Sequence, residues 1–90
     1  MSSVERVVTV LNRLGLHARP AAEFVKTASK FEATITVSKD SMEVNGKSIL
    51  GVMTLAAECG SELVLRATGA DAEAALDALA DVATRDFGDI

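Results

Sequence analysis

The chain is poor in the residue types that most often build catalytic and metal sites. Its 90 residues include no tryptophan or tyrosine, and histidine and cysteine occur once each. The single Cys59 excludes an internal disulfide, and with no apolar signal segment at the start of the chain we expect a cytoplasmic protein. With one histidine and one cysteine, neither a metal site nor another cofactor is expected.

Two further absences limit the classes of partner. No apolar run approaches the roughly 20 residues that span a bilayer, so we expect no membrane insertion. The formal net charge of −4 argues against nucleic-acid binding. Basic residues are nevertheless concentrated in the first half of the chain, which predicts a locally basic end on an acidic protein. They include Arg13, Arg19, Lys26, Lys30 and Lys47.

What the chain does contain is a regular succession of strand and helix signals. One-sided apolar alternation predicts strands over residues 6–11, 33–38, 42–44 and 62–68. Helical spacing predicts helices that begin at Ala18, Ile49 and Ala72. The last helix is expected to follow Asp71 as its N-cap and to run to about Phe87. The order β-α-β-β-α-β-α and the chain length favour one α+β domain over residues 1–90, with helices on one face of the sheet.

The histidine lies where the first predicted strand gives way to the first predicted helix, in the segment GLHARPA (residues 15–21). The first N–H groups of a helix, here those of Ala18 and Arg19, favour a bound anion together with the helix dipole. A neutral imidazole is available as a nucleophile near neutral pH, and the Arg19 guanidinium can offset the charge of a phosphate. We therefore interpret His17 as a candidate phosphoryl acceptor. An ordinary surface histidine beside a helix start is the alternative that these residues leave open.

A second segment, NGKSILGVMTL (residues 45–55), predicts a short helix with Ser48 as its N-cap. A two-turn helix cannot bury its whole circumference, so some of Ile49, Leu50 and Met53 are expected at the surface. Exposed apolar side chains of this kind often mark a partner site. Complete cover by the sheet and the neighbouring helices is the alternative, and the pattern alone favours neither.

The two segments together resemble those of the HPr family, the histidine-containing phosphocarriers of the bacterial phosphoenolpyruvate-dependent sugar phosphotransferase system. The resemblance runs from about residue 7 to residue 82 and includes the order of the elements. It implies an open-faced β-sandwich, in which three helices cover one face of a four-stranded antiparallel sheet. It also implies a carrier of phosphoryl groups that is not an enzyme. A shuttle that must fit two different partners is expected to be a monomer.

The resemblance also implies a role for individual residues. His17 is similar to the residue that enzyme I phosphorylates on Nδ1 and that passes the group to the IIA domains of sugar permeases. Arg19 is similar to the residue that steadies the phosphoryl group, and Ser48 resembles the serine that an HPr kinase/phosphorylase modifies in bacteria that have one. The apolar docking patch and the basic positions near it are matched by Ile49, Leu50, Met53, Lys26 and Lys47.

Three other functions remain open on the sequence. A regulatory or nitrogen-related member of the same family would serve no sugar permease. A small acyl-phosphate hydrolase would also combine a strand–loop–helix anion site with an arginine, and it would keep its activity without His17. An interaction module would use the apolar patch alone, with His17 incidental.

Overall fold

Residues 3–85 are described by a computed structural model of the protein, and they form seven elements in the predicted order. The strands are β1 (Ser3–Thr9), β2 (Thr34–Lys39), β3 (Met42–Asn45) and β4 (Glu62–Thr68), and the helices are α1 (Ala18–Ala28), α2 (Ile49–Thr54) and α3 (Ala72–Ala83). The strands form one sheet in the order β1-β4-β2-β3, with every neighbouring pair antiparallel. The predicted α+β class and the open-faced β-sandwich are therefore confirmed.

The sheet has one apolar face because its strands alternate between buried and exposed side chains. In β4 the buried residues are Leu63, Leu65 and Ala67. The largest buried side chains that the helices place over this face are Phe24, Leu76 and Leu79. Removal of this apolar surface from water is the main favourable term in folding. On the outer face, side chains meet water, and Arg66 of β4 forms an exposed ion pair with Glu5 of β1.

Strand β1 lies earlier in the chain than predicted, and the end of the second helix, for which the sequence set no limit, has a local cause. The first strand ends before the predicted limit of residues 6–11, because its partner β4 starts at Glu62, which pairs with Thr9. The second helix ends at Thr54, because Ala56 adopts a φ of +50° that an α-helix cannot contain. In the described part of the chain, no helix is both long and apolar enough to cross a membrane.

The third helix differs from the prediction at both of its ends. It ends at Ala83, ahead of the predicted limit Phe87, which lies outside the described residues. At its start, Asp71 occupies the N-cap position, but its side chain makes no hydrogen bond to the helix. The carboxylate instead accepts the backbone N–H groups of Glu32 and Ala33, each at 2.9 Å. Asp71 is therefore the N-cap residue, as predicted, but its side chain does not cap the helix and instead joins the α1–β2 loop to the start of α3.

Asp71 should make the stability of the fold sensitive to acid. The hydrogen bond from the Glu32 N–H, with that from Ala33, holds the pKa of the Asp71 carboxyl below its ordinary value of 3.8. A carboxyl with a lowered pKa in the folded state stabilises the fold above its unfolded pKa, and this contribution is lost as pH falls through the folded value. We expect the free energy of unfolding, measured by urea denaturation, to fall more steeply below about pH 4 in the native chain than in Asp71→Asn. Glu73→Gln, on the same helix, should keep the native pH dependence, and equal slopes for Asp71→Asn and the native chain would contradict this expectation.

The antiparallel sheet sorts the connecting segments onto two ends of the molecule. One end, named here the His17 end, carries the loops at residues 10–17, 40–41 and 55–61, and the opposite end carries those at residues 29–33, 46–48 and 69–71. At the His17 end, Lys39 Nζ donates to the carbonyl of Leu55 at 3.2 Å and so joins the β2–β3 turn to the α2–β4 loop. Helix α1 therefore starts at the His17 end, and helix α2 ends there.

Candidate functional site

The loop ahead of His17 is held in one conformation by a buried asparagine and a glycine. The Gly15 N–H donates to the carbonyl of Asn12 at 2.9 Å, and Asn12 Nδ2 donates to the carbonyl of Gly15 at 2.8 Å. Asn12 is only 1% exposed, and Gly15 has a φ of +71°, which glycine adopts without a steric penalty. The next N–H, that of Leu16, donates to the carbonyl of Ala57 at 2.8 Å. The β1–α1 loop is thus fixed to the α2–β4 loop.

His17 is the N-cap residue of α1. Its backbone is extended (φ −74°, ψ −167°), its carbonyl accepts the N–H of Ala21 at 2.9 Å, and its side chain makes no capping hydrogen bond to the helix. Ala18 and Arg19, the first two residues of the helix, are exposed, while His17 is half-buried. Pro20 has no N–H to contribute. The structure thus brings together the imidazole, the helix start and the arginine from which the sequence predicts an anion site.

His17 lines a small hollow at the surface. The hollow measures about 230 Å³ and is lined by Leu14, Leu16, His17, Met53, Ala56, Ala57 and Glu58. Small-molecule pockets usually enclose about 300 to 1,000 Å³, so this surface is too small to envelop a typical substrate. A larger hollow of about 390 Å³ lies at the opposite end, beside Gly69 and Asp71, but no histidine or arginine lines it. Of these two hollows, only the smaller is lined by the histidine.

Helix α2 presents an apolar surface next to this hollow. Ser48 is its N-cap, as predicted, and Ser48 Oγ accepts the N–H of Gly51 at 3.1 Å. Val52 is fully buried against the core. The exposed apolar residues of α2, named here the α2 patch, are Ile49 (44% exposed), Leu50 (75%) and Met53 (41%). Because Met53 also lines the hollow, the α2 patch and His17 form one continuous surface.

The basic residues do not gather at one end of the molecule. Arg19 lies at the His17 end, Lys26 is exposed in the last turn of α1, and Lys47 lies at the opposite end. There, Lys47 Nζ donates to the carbonyl of Phe31 at 2.7 Å. The predicted locally basic end is therefore wrong, because the positive charge runs along α1 from one end to the other. Lys47 has a structural contact in addition to any contact with a partner.

Sequence reasoning missed the contribution of the α2–β4 loop to the site. Ala56 and Glu58 line the hollow, although they are some forty positions from His17 in the chain, and no local pattern announces such a contact. The Asn12–Gly15 turn could have been predicted from the sequence, since asparagine followed three residues later by glycine is typical of a β-turn. Among residues 3–85, no three potential metal ligands of the His, Cys, Asp or Glu type lie together.

Comparison with known proteins identifies the family. Residues 4–85 match the family described as the PTS HPr component phosphorylation site. The chain is 54% identical over 76 residues to the phosphocarrier protein HPr of Treponema pallidum, covering 84% of this chain and 86% of that protein. It is 42% identical over 79 residues to the phosphocarrier protein NPr of Shewanella violacea, covering 88% and 87%. This chain belongs to the HPr family of phosphocarrier proteins.

Solved structures agree with this family and with the fold. The crystal structure of HPr from Bacillus anthracis superposes with a TM-score of 0.89 at 45% identity, covering 93% of this chain and all of that one. The structure of Crh, the Bacillus subtilis catabolite repression protein, has a TM-score of 0.72 at 44% identity, covering 89% and 92% of the two chains. Crh is described there as a domain-swapped dimer.

Proposed function

We propose that this chain is a phosphoryl shuttle, in which His17 accepts a phosphoryl group from phospho-enzyme I and passes it to the IIA domains of sugar permeases. The observation that carries the proposal is the position of His17, at the start of α1 and on the wall of a surface hollow that continues into the α2 patch. We include in it a single phosphocarrier domain over residues 1–90, a cytoplasmic location and a monomer. The chain would use no cofactor and have no turnover of its own.

The proposed transfer is an exchange of one phosphoryl group between two imidazoles. The unprotonated Nδ1 of His17 directs its lone pair at the phosphorus of the donor phosphohistidine, and a new N–P bond forms. The N–P bond of the donor breaks at the same time, and its electron pair returns to the donor nitrogen. Nε2 keeps its proton, so the step neither consumes nor releases one. Phosphoryl transfer depends mainly on positioning and charge stabilisation, which the larger partners can supply in part.

The start of α1 favours the charge that the phosphoryl group brings. A phosphorylated side chain gains about −1.5 to −2 charge, and the positive end of the dipole of the eleven-residue helix α1 lies beside it. The backbone N–H groups of Ala18 and Arg19 and the Arg19 guanidinium would donate to its oxygens. Because these groups are exposed, the phosphoryl group stays accessible to the next acceptor.

The α2 patch would be the docking surface for both partners. Three exposed apolar side chains on one short helix form a contiguous surface of the kind that proteins use for association. Lys26 and Lys47 would lie at its margin and meet acidic partner residues. Ser48 would be the target of an HPr kinase/phosphorylase in an organism that has one. A phosphate there would stabilise the start of α2 and repel an acidic partner.

A charge at Ser48 should therefore slow transfer without unfolding the chain. We expect Ser48→Asp to lower the rate of phosphorylation by enzyme I about tenfold or more, because like charges brought together at an interface cost several kcal/mol. Aspartate caps a helix about as well as serine, so the free energy of unfolding should change by less than about 0.5 kcal/mol. Initial rates and urea denaturation measure the two effects.

The matched control for this charge is Ser3→Asp, at the start of β1 and remote from the α2 patch. It should phosphorylate at the native rate. A native rate in Ser48→Asp, or a marked loss of stability in that variant, would contradict the proposed effect.

The shuttle is tested by incubating the chain with phosphoenolpyruvate and enzyme I. We expect one phosphoryl group per chain, stable in base and lost in acid, as for a phosphorylated imidazole, and peptide mass spectrometry at neutral pH should locate it on His17. Addition of a IIA domain should then discharge it. If no adduct forms, the shuttle is refuted, and steady release of phosphate from an acyl phosphate would identify a hydrolase instead.

A second candidate is the nitrogen-related branch of the same family. It is favoured by the similarity to NPr of Shewanella violacea, which covers 88% of this chain. The surface and the chemistry at His17 would be the same, and only the partners would differ. Parallel phosphorylation by enzyme I of the sugar system and by its nitrogen-related counterpart distinguishes the two, since the faster reaction indicates the branch.

A further inference from the structure

Glu58 stands out among the residues around His17 because it brings a negative charge to a site for an anion. It lines the same hollow of about 230 Å³ as His17, and it is exposed. Because both residues border the same hollow, a negative charge added to the imidazole and the charge of Glu58 would act in the same small volume, and salt would screen their repulsion. No ion-pair partner of the Glu58 carboxylate is present among residues 3–85.

The backbone of Glu58 cannot move away from the site easily. A Cβ on Gly15 would lie 3.0 Å from Glu58 Cα, so the two loops are in close contact two residues before His17. The Glu58 N–H donates to Ser61 Oγ at 3.0 Å, and its carbonyl accepts the Ser61 N–H at 2.9 Å. Ala56, two residues before Glu58, has a φ of +50°, which a non-glycine residue adopts only when the surrounding structure imposes it. These contacts hold the backbone of Glu58 in a fixed turn beside the His17 loop.

We propose that Glu58 raises the free energy of the phosphorylated form and so sets the phosphoryl-transfer potential of His17. This inference rests on the proposed function. Arg19 and the start of α1 attract the phosphoryl group, while the Glu58 carboxylate repels it, and the balance keeps the group from being held too tightly. The unmodified imidazole carries no phosphoryl charge for the carboxylate to repel. The effect therefore falls on the phosphorylated state, and it favours onward transfer to the next acceptor.

The test is a competition that does not depend on any one partner surface. Native chain and Glu58→Gln are mixed with a limiting amount of phosphoenolpyruvate and catalytic enzyme I, which exchanges phosphoryl groups between them until equilibrium. The native chain is labelled uniformly with nitrogen-15, so that mass spectrometry of the intact chains at neutral pH resolves the two and gives the share of each that is phosphorylated. We expect Glu58→Gln to hold about threefold to tenfold more phosphoryl groups than the native chain, and the difference to shrink in 1 M salt, where the Debye length is about 3 Å.

The matched control is Glu62→Gln, which removes the same charge from the outer face of β4, opposite Thr9. It should share phosphoryl groups equally with the native chain. Equal sharing by Glu58→Gln, or the same excess in both variants, would overturn the role of Glu58. If the native chain takes up no phosphoryl group at all, the proposed function fails instead, so the two failures are distinguishable.

Discussion

Replacing His17 with alanine should abolish phosphorylation by enzyme I while the fold stays intact. In the proposed transfer the imidazole supplies the attacking nitrogen, and it is the only imidazole in the chain, so no neighbour can take its place. Its side chain makes no capping hydrogen bond to α1 and is half-buried, so its removal should cost less than about 1 kcal/mol in the free energy of unfolding. Incorporation of labelled phosphate and urea denaturation measure the two effects.

Two further variants are compared with His17→Ala, one without the nearby cation and one without the cysteine. Arg19→Gln removes the stabilising cation but keeps the nucleophile, so it should form the same adduct at a rate lowered about tenfold or more. Cys59→Ser removes the other side chain in the chain that could act as a soft nucleophile, and it should behave like the native protein. Residual phosphorylation of His17→Ala at the native level would refute the assignment of the acceptor.

Replacing Gly15 with alanine should destabilise the chain by about 2 to 4 kcal/mol, from two causes. The first is the backbone, since Gly15 has a φ of +71° that costs an alanine about 1 to 2 kcal/mol. The second is a collision, because the new Cβ would lie 2.3 Å from the carbonyl oxygen of Ala57. That oxygen accepts the N–H of Leu16, and neither backbone can give way without breaking the bond that fixes the His17 loop. Phosphorylation by enzyme I should slow as well.

The chain supplies its own control for this substitution. Gly60 also has a positive φ, of +93°, but a Cβ there would meet nothing within 4 Å. Gly60→Ala therefore has the backbone cost alone. Its free energy of unfolding should fall by about 1 to 2 kcal/mol, with no change in the rate of phosphorylation. Urea denaturation of both variants separates strain from collision. Equal losses in the two variants would show that contact with Ala57 does not matter.

Where the local signal in the sequence is strong, the prediction of the fold agrees with the structure. Strand β4 has the predicted bounds, residues 62–68, because strict alternation leaves no ambiguity about which side chains face the core. Helix α1 starts at the predicted Ala18, where Pro20 is tolerated in the first turn and His17 precedes it in an extended conformation. Ser48 caps α2 as predicted, because serine is among the residues most favoured at a helix N-cap.

The predictions failed where distant parts of the chain meet. Asp71 was expected to cap its own helix, and the choice of the Glu32 and Ala33 N–H groups instead depends on a loop 38 positions away. The sequence set no end for α2, because that end depends on the positive φ of Ala56, which no propensity of alanine indicates. Glu58 reaches the site only through the contact between two loops. The imidazole, the arginine and the exposed apolar side chains of α2 could be found from the sequence, whereas the residues that the α2–β4 loop brings to the hollow could not.

The first residue of β1 lies at the end of the molecule opposite His17, which makes it a suitable place to attach a label or a tether. Ser3 pairs with Thr68 at the end of the sheet opposite His17, and the strand runs from there toward the hollow. An affinity tag, a fluorophore or a surface tether joined ahead of Ser3 therefore leaves from the far side of the molecule. Immobilised in this way, the chain would point His17 into solution, so the kinetics of each protein that docks there could be followed on a sensor surface.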